Sequence, residues 1–408
     1  MSDVMKGIKV LEVAEHTFVP AASAVLAEWG AEVIKVEHIT RGDAMRGLGS
    51  SGVMDLGKGV HVLYEHSNRG KRSIALDLTL PEGLEVLYEL VKACDVFLTN
   101  KTLGVARKLK VDVDDVRAHN PKIIYARGSA YGTKGPEAEH GGYDMTGFWC
   151  RGGSAASCTP PDIGGAITQP GPAYGDSMGA MTIAGGISAA LFKRERTGEP
   201  SVVDVSLLSM GTWAMGATMA LSQQMGQAWQ HAPIKGPGLG FGNPLVGTFL
   251  TKDDRYLNLT MLQAFKYWPD FCNHIDRPEL AADPRFDTHE HLTENAAEAR
   301  EIVVAALATK TLAEWRDKFF TLKGQWAPLQ NVLELAEDPQ VRANGYVAGA
   351  ETSGGTAFEL AATPVQFDEK PMPTRRGPDF NEHGDDILQE IGLDWEKIIE
   401  LKTKGAVA

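Results

Sequence analysis

Gly7-Ile8-Lys9-Val10-Leu11-Glu12-Val13, a helical stretch over residues 21–29 closed by Gly30, and Glu32-Val33-Ile34-Lys35-Val36-Glu37 decide the fold of this chain. Two short apolar runs flank one helix, and the glycine stops that helix in the usual way. Strands this apolar are buried on both faces, which is the habit of a parallel sheet. The pattern continues outward. Ser73-Ile74-Ala75-Leu76-Asp77-Leu78 is extended, and Pro81 opens a helix whose stripe is Leu84, Val86-Leu87 and Leu90-Val91. Asp95-Val96-Phe97-Leu98 and Lys122-Ile123-Ile124-Tyr125-Ala126 read as strands around a helix at 111–119. The alternation predicts an α/β fold with a parallel sheet covered on both sides.

Residues 132–172 break the rhythm. They are rich in Gly, Pro, Ser and Ala and read as loops that touch a ligand or an interface. A long helix is expected from 177 to 196, then the strand Val202-Val203-Asp204-Val205, then a helix over 210–225 lined with Met and Ala. Residues 236–242 form a glycine-rich loop suited to a lid. A smaller unit follows from 245 to about 326, with strands near Thr248 and Tyr256, and helical segments return at 332–337, 386–391 and 395–401.

Lys plus Arg number 40 and Asp plus Glu 53, so the formal charge is −13. Such an acidic chain without a basic block is a poor binder of nucleic acid or of an anionic membrane. A polyanionic ligand must be held by a local basic cluster or by backbone N–H groups. Arg69-Gly70-Lys71-Arg72 and Arg107-Lys108 are the clusters available, either for phosphates or as solvated turns. Cys94, Cys150, Cys158 and Cys272 form no CxxC pair, and neither a signal-peptide pattern nor a spanning apolar run is present. A soluble cytoplasmic protein without a metal is the expectation. His289 and His291 read as part of a solvated helix start.

In a parallel α/β sheet, ligands bind outside the carboxyl ends of the strands. Those ends carry Glu15 to Pro20, then His38, then Thr99 and Asn100, then Arg127 to Tyr131. GxGxxG and Walker A patterns are absent. Asp176 stands where Tyr174-Gly175-Asp176-Ser177-Met178-Gly179 turns from loop into long helix. Asp is a favoured helix cap. The alternative is an ionised carboxylate, kept charged by the helix dipole, with Gly175 and Gly179 leaving room for a bulky substrate and the N–H groups of 175–178 holding an oxyanion. Trp149, Met178, Trp213, Met215 and Phe241 read either as an apolar pocket or as core and interface.

Many motifs in order resemble the family III CoA-transferases, the group of formyl-CoA, carnitine and bile-acid CoA-transferases. They include Gly7 to Glu12, Leu26 to Glu37, Asn68 to Leu78, Pro81-Glu82-Gly83, Gly142-Tyr143-Asp144, Gly175-Asp176-Ser177, Arg194 to Gly198, Gly242-Asn243-Pro244 and Glu382 to Leu388. The resemblance implies that Asp176 is the catalytic carboxylate. It implies coenzyme A, a substrate and carrier rather than a tightly bound cofactor, at His16, Thr17, Phe18, His38, Leu76, Asn100, Lys108 and Tyr143. It implies a Rossmann-like large domain from residues 1–225 and 331–408, a smaller inserted α+β domain at 226–330, and an interlocked homodimer. The chain departs from the family at His16-Thr17-Phe18-Val19-Pro20, at His38 and at Lys101-Thr102-Leu103-Gly104, so its acyl pocket should differ from that of the small-acid enzymes. The reaction implied moves CoA from an acyl-CoA to a carboxylic acid. An α-methylacyl-CoA racemase on the same fold, with His140 near the position of the base, and a CoA-binding protein without turnover are the rivals.

Overall fold

The computed structural model describes residues 3–51, 60–232 and 242–408. They form two compact units, one ending at His231 and resuming at Pro339, the other Ala232–Asp338. These divisions fall later than residues 225 and 330.

The first unit is built on six strands: β1 (Lys9–Val13), β2 (Glu32–His38), β3 (Arg72–Leu76), β4 (Val96–Thr99), β5 (Ile124–Ser129) and β6 (Val202–Ser206). Their order is β3-β2-β1-β4-β5-β6, and every pairing is parallel. The order reverses between β1 and β4, which opens a crevice at their carboxyl ends.

Alternation within the strands sorts the layers. Val10, Val33, Val96, Leu98 and Ala126 face α1 (Phe18–Glu28) and the long helix that includes Ala180, Ile183, Ala184 and Ile187. Leu11, Val13, Ile34, Val36, Ile74 and Phe97 face the opposite layer. After α2 (Val62–Asn68) comes α3 (Pro81–Ala93), and the opposite layer takes α3 and the C-terminal helices Gly384–Glu390 and Trp395–Thr403, through Ile387, Leu388, Ile398 and Leu401. Removing one such side chain from water contributes about 1.5–3 kcal/mol. The late return of the chain to the first unit is thus the second half of its core.

Further along, α4 (Leu103–Lys108) and α5 (Val113–His119) precede β5, and α6 (Ser154–Cys158), α7 (Tyr174–Thr197) and α8 (Leu207–Ala214) follow it. Several local expectations are corrected. The helix α1 starts at Phe18 rather than 21, because Pro20 falls in its first turn, where no N–H is needed. Residues 132–172 are not all loop, since Met145–Cys150 forms a π-helical turn before α6. The helix expected at 210–225 is two, broken at Met215. Most consequentially, α7 begins at Tyr174 and not at 177.

The second unit pairs β7 (Val246–Leu250), β8 (Tyr256–Thr260) and β9 (Trp326–Pro328) antiparallel, over a core with Trp268, Phe271, Trp315 and Phe319. Among the described residues no helix is long and apolar enough to cross a membrane.

The α1 side of the sheet holds a buried ionic network. Glu12 on β1 stands beside its register partner Lys35 on β2, and neither is exposed. Lys35 Nζ lies 2.7 Å from Glu12 Oε1 and 2.6 Å from Asp43 Oδ2, and Lys71 Nζ lies 2.6 Å from Glu12 Oε2. Burial opposes the charge on Lys35, but Asp43 and Glu12 outweigh it and raise its pKa. Burial also pushes Glu12 upward, and Lys35 with Lys71 reverses that. Lys71 is lowered to about 7 by burial, with Lys35 adding to the effect and Glu12 opposing it. The phosphate reading of Arg69, Lys71 and Arg72 therefore fails. Arg69 is buried against Glu28 at 2.7 Å, Lys71 belongs to the network, and Arg72 pairs with Glu32 and Glu390.

Removing one member strands its partners. Lys35→Met leaves Glu12 and Asp43 buried and short of a cation, which should cost about 3–5 kcal/mol in urea unfolding. A loss of about 1 kcal/mol or less, as for an exposed pair, would contradict this reading.

Candidate active site

The network shapes the loop between β1 and α1. Lys35 Nζ also donates to the Ala14 carbonyl at 3.0 Å, and Lys71 Nζ donates to the Pro20 carbonyl at 2.8 Å. Asp43 Oδ1 accepts the His16 N–H at 3.1 Å and the Met45 N–H at 2.9 Å. From β4, the Asn100 side chain accepts the Glu15 N–H at 3.3 Å and donates to the Glu15 carbonyl at 2.6 Å. Held at these points, His16 adopts φ +69°, a conformation that side chains disfavour. Its ring meets Tyr143 edge-on, 5.5 Å between centroids.

A cavity of about 100 Å³ opens at this switch point. His16, Phe18, Asn100, Arg127, His140, Tyr143 and Asp176 are among its walls. It brings together five of the residues singled out from sequence: His16, Phe18, Asn100, Tyr143 and Asp176. Thr17 is buried beside it and contributes its carbonyl to the Ala21 N–H at 2.8 Å. His38 and Leu76 lie apart, as register partners at the carboxyl ends of β2 and β3. Lys108 lines a separate cavity of about 420 Å³ with Leu78, Thr79 and Tyr88.

Asp176 occupies the third position of α7. The cap is Ala173, and it makes no side-chain cap bond. The capping role is thereby removed, and among the described residues no donor bonds the Asp176 carboxylate. The glycines beside it serve differently than expected. A Cβ on Gly179 would stand 2.2 Å from Phe18 Cε2, and one on Gly175 would stand 2.6 Å from Phe148. The space they leave is filled by this chain's own rings, which lets α7 close on α1. The N–H of Ser177 donates to the Ala173 carbonyl at 2.9 Å, so it is spent within the helix. The N–H groups of Ala173, Tyr174, Gly175 and Asp176, by contrast, have no acceptor within the helix.

The charge state also departs from expectation. Burial, helped by the nearby Asp144 carboxylate, lifts Asp176 from its ordinary 3.8 to about 7. The dipole of α7 is too weak to prevent this, since a helix terminus contributes only about 0.3–1 kcal/mol at most sites. Asp144 is itself buried, accepting the Met145 N–H at 2.8 Å and the Gln169 amide at 2.9 Å. The sequence showed Asp144 inside a motif but assigned it no role.

Trp149 is buried in the core and hydrogen-bonds the Ile167 carbonyl, while Met178 and Trp213 are exposed. Neither they nor Met215 line the cavity, and Phe241 lies outside the described residues, as does all of the 236–242 loop but Gly242. Among the described residues no group of three or more His, Cys, Asp or Glu is placed to hold a metal, and His291 is paired with Asp287 at 2.8 Å.

The family model described as CoA-transferase family III matches residues 5–384. The chain belongs to CoA-transferase family III. Its relatives in that family include the (R)-2-hydroxy-4-methylpentanoate CoA-transferase of Clostridioides difficile, 29% identical over 99% of both chains. The cinnamoyl-CoA:phenyllactate CoA-transferase of Clostridium sporogenes is 30% identical over 98% of this chain and 96% of its own. Among solved structures, a CAIB/BAIF family protein from Brucella suis superposes with a TM-score of 0.77 at 26% identity, covering 96% of this chain and 100% of the other. The six-stranded parallel α/β architecture of this family III chain is therefore shared with an experimentally solved relative.

The raised carboxyl has a thermodynamic signature. Between about pH 4 and 7 the unfolded chain ionises Asp176 while the folded chain retains the proton, so stability falls as pH rises through that window. Asp176→Asn should melt higher than the parent at pH 8, and the difference should close toward pH 4. Equal melting temperatures at both pH values would show that the carboxyl is not desolvated.

Proposed function

We propose that this family III enzyme moves CoA from an acyl-CoA to a carboxylic acid, with Asp176 as the covalent carrier. The observation that carries the reading is an unbonded, half-buried carboxylate on the wall of the switch-point cavity. The burial that raises its pKa also thins the water around its oxygens, which favours attack. An Asp176 oxygen adds to the donor thioester carbonyl, the C–S bond breaks, and CoA leaves as thiolate beside a mixed anhydride. The thiolate attacks the aspartyl carbonyl and expels the donor acid, giving an aspartyl-CoA thioester. The acceptor carboxylate then displaces CoA, and the thiolate takes the acceptor acyl group from the second anhydride, freeing Asp176. Each bond made replaces one of similar energy, so no ATP is consumed. The free N–H groups of Tyr174, Gly175 and Asp176 are the donors that suit the transient oxyanions.

Coenzyme A is assigned to the strand ends. Its thiol end would enter among His16, Phe18, Asn100 and Tyr143, with Thr17 fixing the loop. Its nucleotide end would run toward His38, Leu76 and Lys108. The side-chain amide of Asn100 already holds Glu15, which supports a positioning part for it. We further assign the chain to a cytoplasmic, interlocked homodimer whose smaller inserted domain is the second unit. Exposed Phe192, Trp213, Leu221 and Met225 on the first unit support a partner surface. Light scattering should give twice the 44.0 kDa chain mass, and a monomer would dismiss the dimer.

His140 on the same cavity supports a second reading, proton exchange at the α-carbon by a His–Asp pair. Deuterium entering the α-carbon of a branched acyl-CoA without CoA transfer would select it.

The acids to test first are those in the relatives' names: 2-hydroxy-4-methylpentanoate, phenyllactate, succinate, glutarate and oxalate, each with a matching acyl-CoA. Kinetics should be ping-pong, and Asp176→Ala should abolish transfer while CoA binding persists. In the parent, kcat/KM should fall below about pH 7 as Asp176 takes up its proton, and Asp144→Asn should move that limb lower. Transfer surviving in Asp176→Ala would end the assignment.

A further inference from the structure

Because no donor among the described residues holds the Asp176 carboxylate, its place depends on the first turn of α7. That turn starts from a strained residue. Ala173 has φ 60° and ψ 22°, a left-handed conformation unfavourable for alanine. Its carbonyl receives two bonds from Ser177, from the N–H at 2.9 Å and from Oγ at 2.8 Å. With its hydrogen given to Ala173, the Ser177 hydroxyl can only accept from a third group. His66 Nε2 lies 3.1 Å from that oxygen. In that arrangement the donor is the Nε2–H tautomer of His66. His66 stands on α2, elsewhere on the first unit. Burial and the neighbouring Arg69 lower its pKa to about 4, so it is neutral at working pH.

We propose that His66 and Ser177 are positioning residues for the reaction at Asp176: together they clamp the Ala173 carbonyl and keep the first turn of α7 wound. The inference rests on the assignment of Asp176 made above. Its rationale is geometric. Helix ends fray, and a displacement of about 1 Å at a reacting group costs on the order of 10²-fold in rate. An unbonded nucleophile on a strained turn needs its backbone held from elsewhere, and the histidine–serine relay is the hold that this structure provides. Neither residue is asked to touch substrate or move a proton.

Four variants test this: His66→Phe, Ser177→Ala, their double, and His66→Gln, which restores an N–H donor near Nε2. The kinetic probe is cinnamoyl-CoA with phenyllactate, or whichever other pair in the panel above turns over fastest. Each single variant should lower kcat about tenfold with KM for the acyl-CoA within about twofold, since orientation rather than binding is lost. The double should be no slower than either single, because the two act as one unit. His66→Gln should recover most of the rate. Without any substrate, hydrogen–deuterium exchange at the Ser177 amide, which is bonded to the Ala173 carbonyl, should quicken in both single variants. Unchanged exchange there, or folded single variants with parental kcat, would overturn the proposal. So would losses that multiply in the double, which would mean two unrelated defects. If Asp176→Ala is inactive while these variants behave as the parent, only the clamp is refuted. If Asp176→Ala stays active, the assignment of Asp176 falls first.

Discussion

A carboxylate in the middle of a buried strand determines much of what surrounds it. Glu12 cannot stay charged among Val10, Leu11 and Val13 without cations, and Lys35 and Lys71 supply them. Two ammonium groups bring more hydrogen-bond donors than one carboxylate absorbs. The surplus goes to Asp43, Asn68 and the carbonyls of Ala14 and Pro20. Those carbonyls bracket the loop after β1, and Asp43 holds the loop's N–H at His16. The ionic network thus acts as a template for the crevice rather than as a mere source of stability, and the strained backbone of His16 is its most visible product.

The site above the template favours reactivity over comfort. Asp176 is half-buried, forgoes a capping bond and stands near a second carboxylate. Each feature raises the energy of the ionised form, the form that the proposed reaction would use. The helix dipole acts the other way but is the smaller effect. Close packing works alongside: Phe18 and Phe148 fill the spaces at Gly179 and Gly175 and seat the start of α7.

The parallel sheet was legible because its strands are short, apolar and separated by helices with clear glycine and proline punctuation. The crevice was legible too, since strand ends can be numbered from the sequence and ligands in open α/β sheets bind beyond them. Asp176 was visible by its place at a loop-to-helix change, but not its role, because Asp caps helices and only the start of α7 at Tyr174 separates the two. What remained hidden depends on contacts remote in sequence. Arg69, Lys71 and Arg72 look like a phosphate cluster until Glu28, Glu12 and Glu390 are seen against them. Asp144 acts through space, and His66 reaches Ser177 across 111 residues. No periodicity encodes such pairings.

The central claim is that an Asp176 oxygen forms and breaks bonds to the acyl groups. Oxygen-18 in the acceptor carboxylate tests it most directly. Along the path above, the second anhydride is bridged by an acceptor oxygen, and cleavage by CoA leaves that oxygen on Asp176. Mass spectrometry of the peptide containing Asp176 should find one heavy oxygen there after a single turnover, and the donor acid released in later turnovers should carry it away. An unlabelled Asp176 peptide after full conversion of the acceptor would contradict the account.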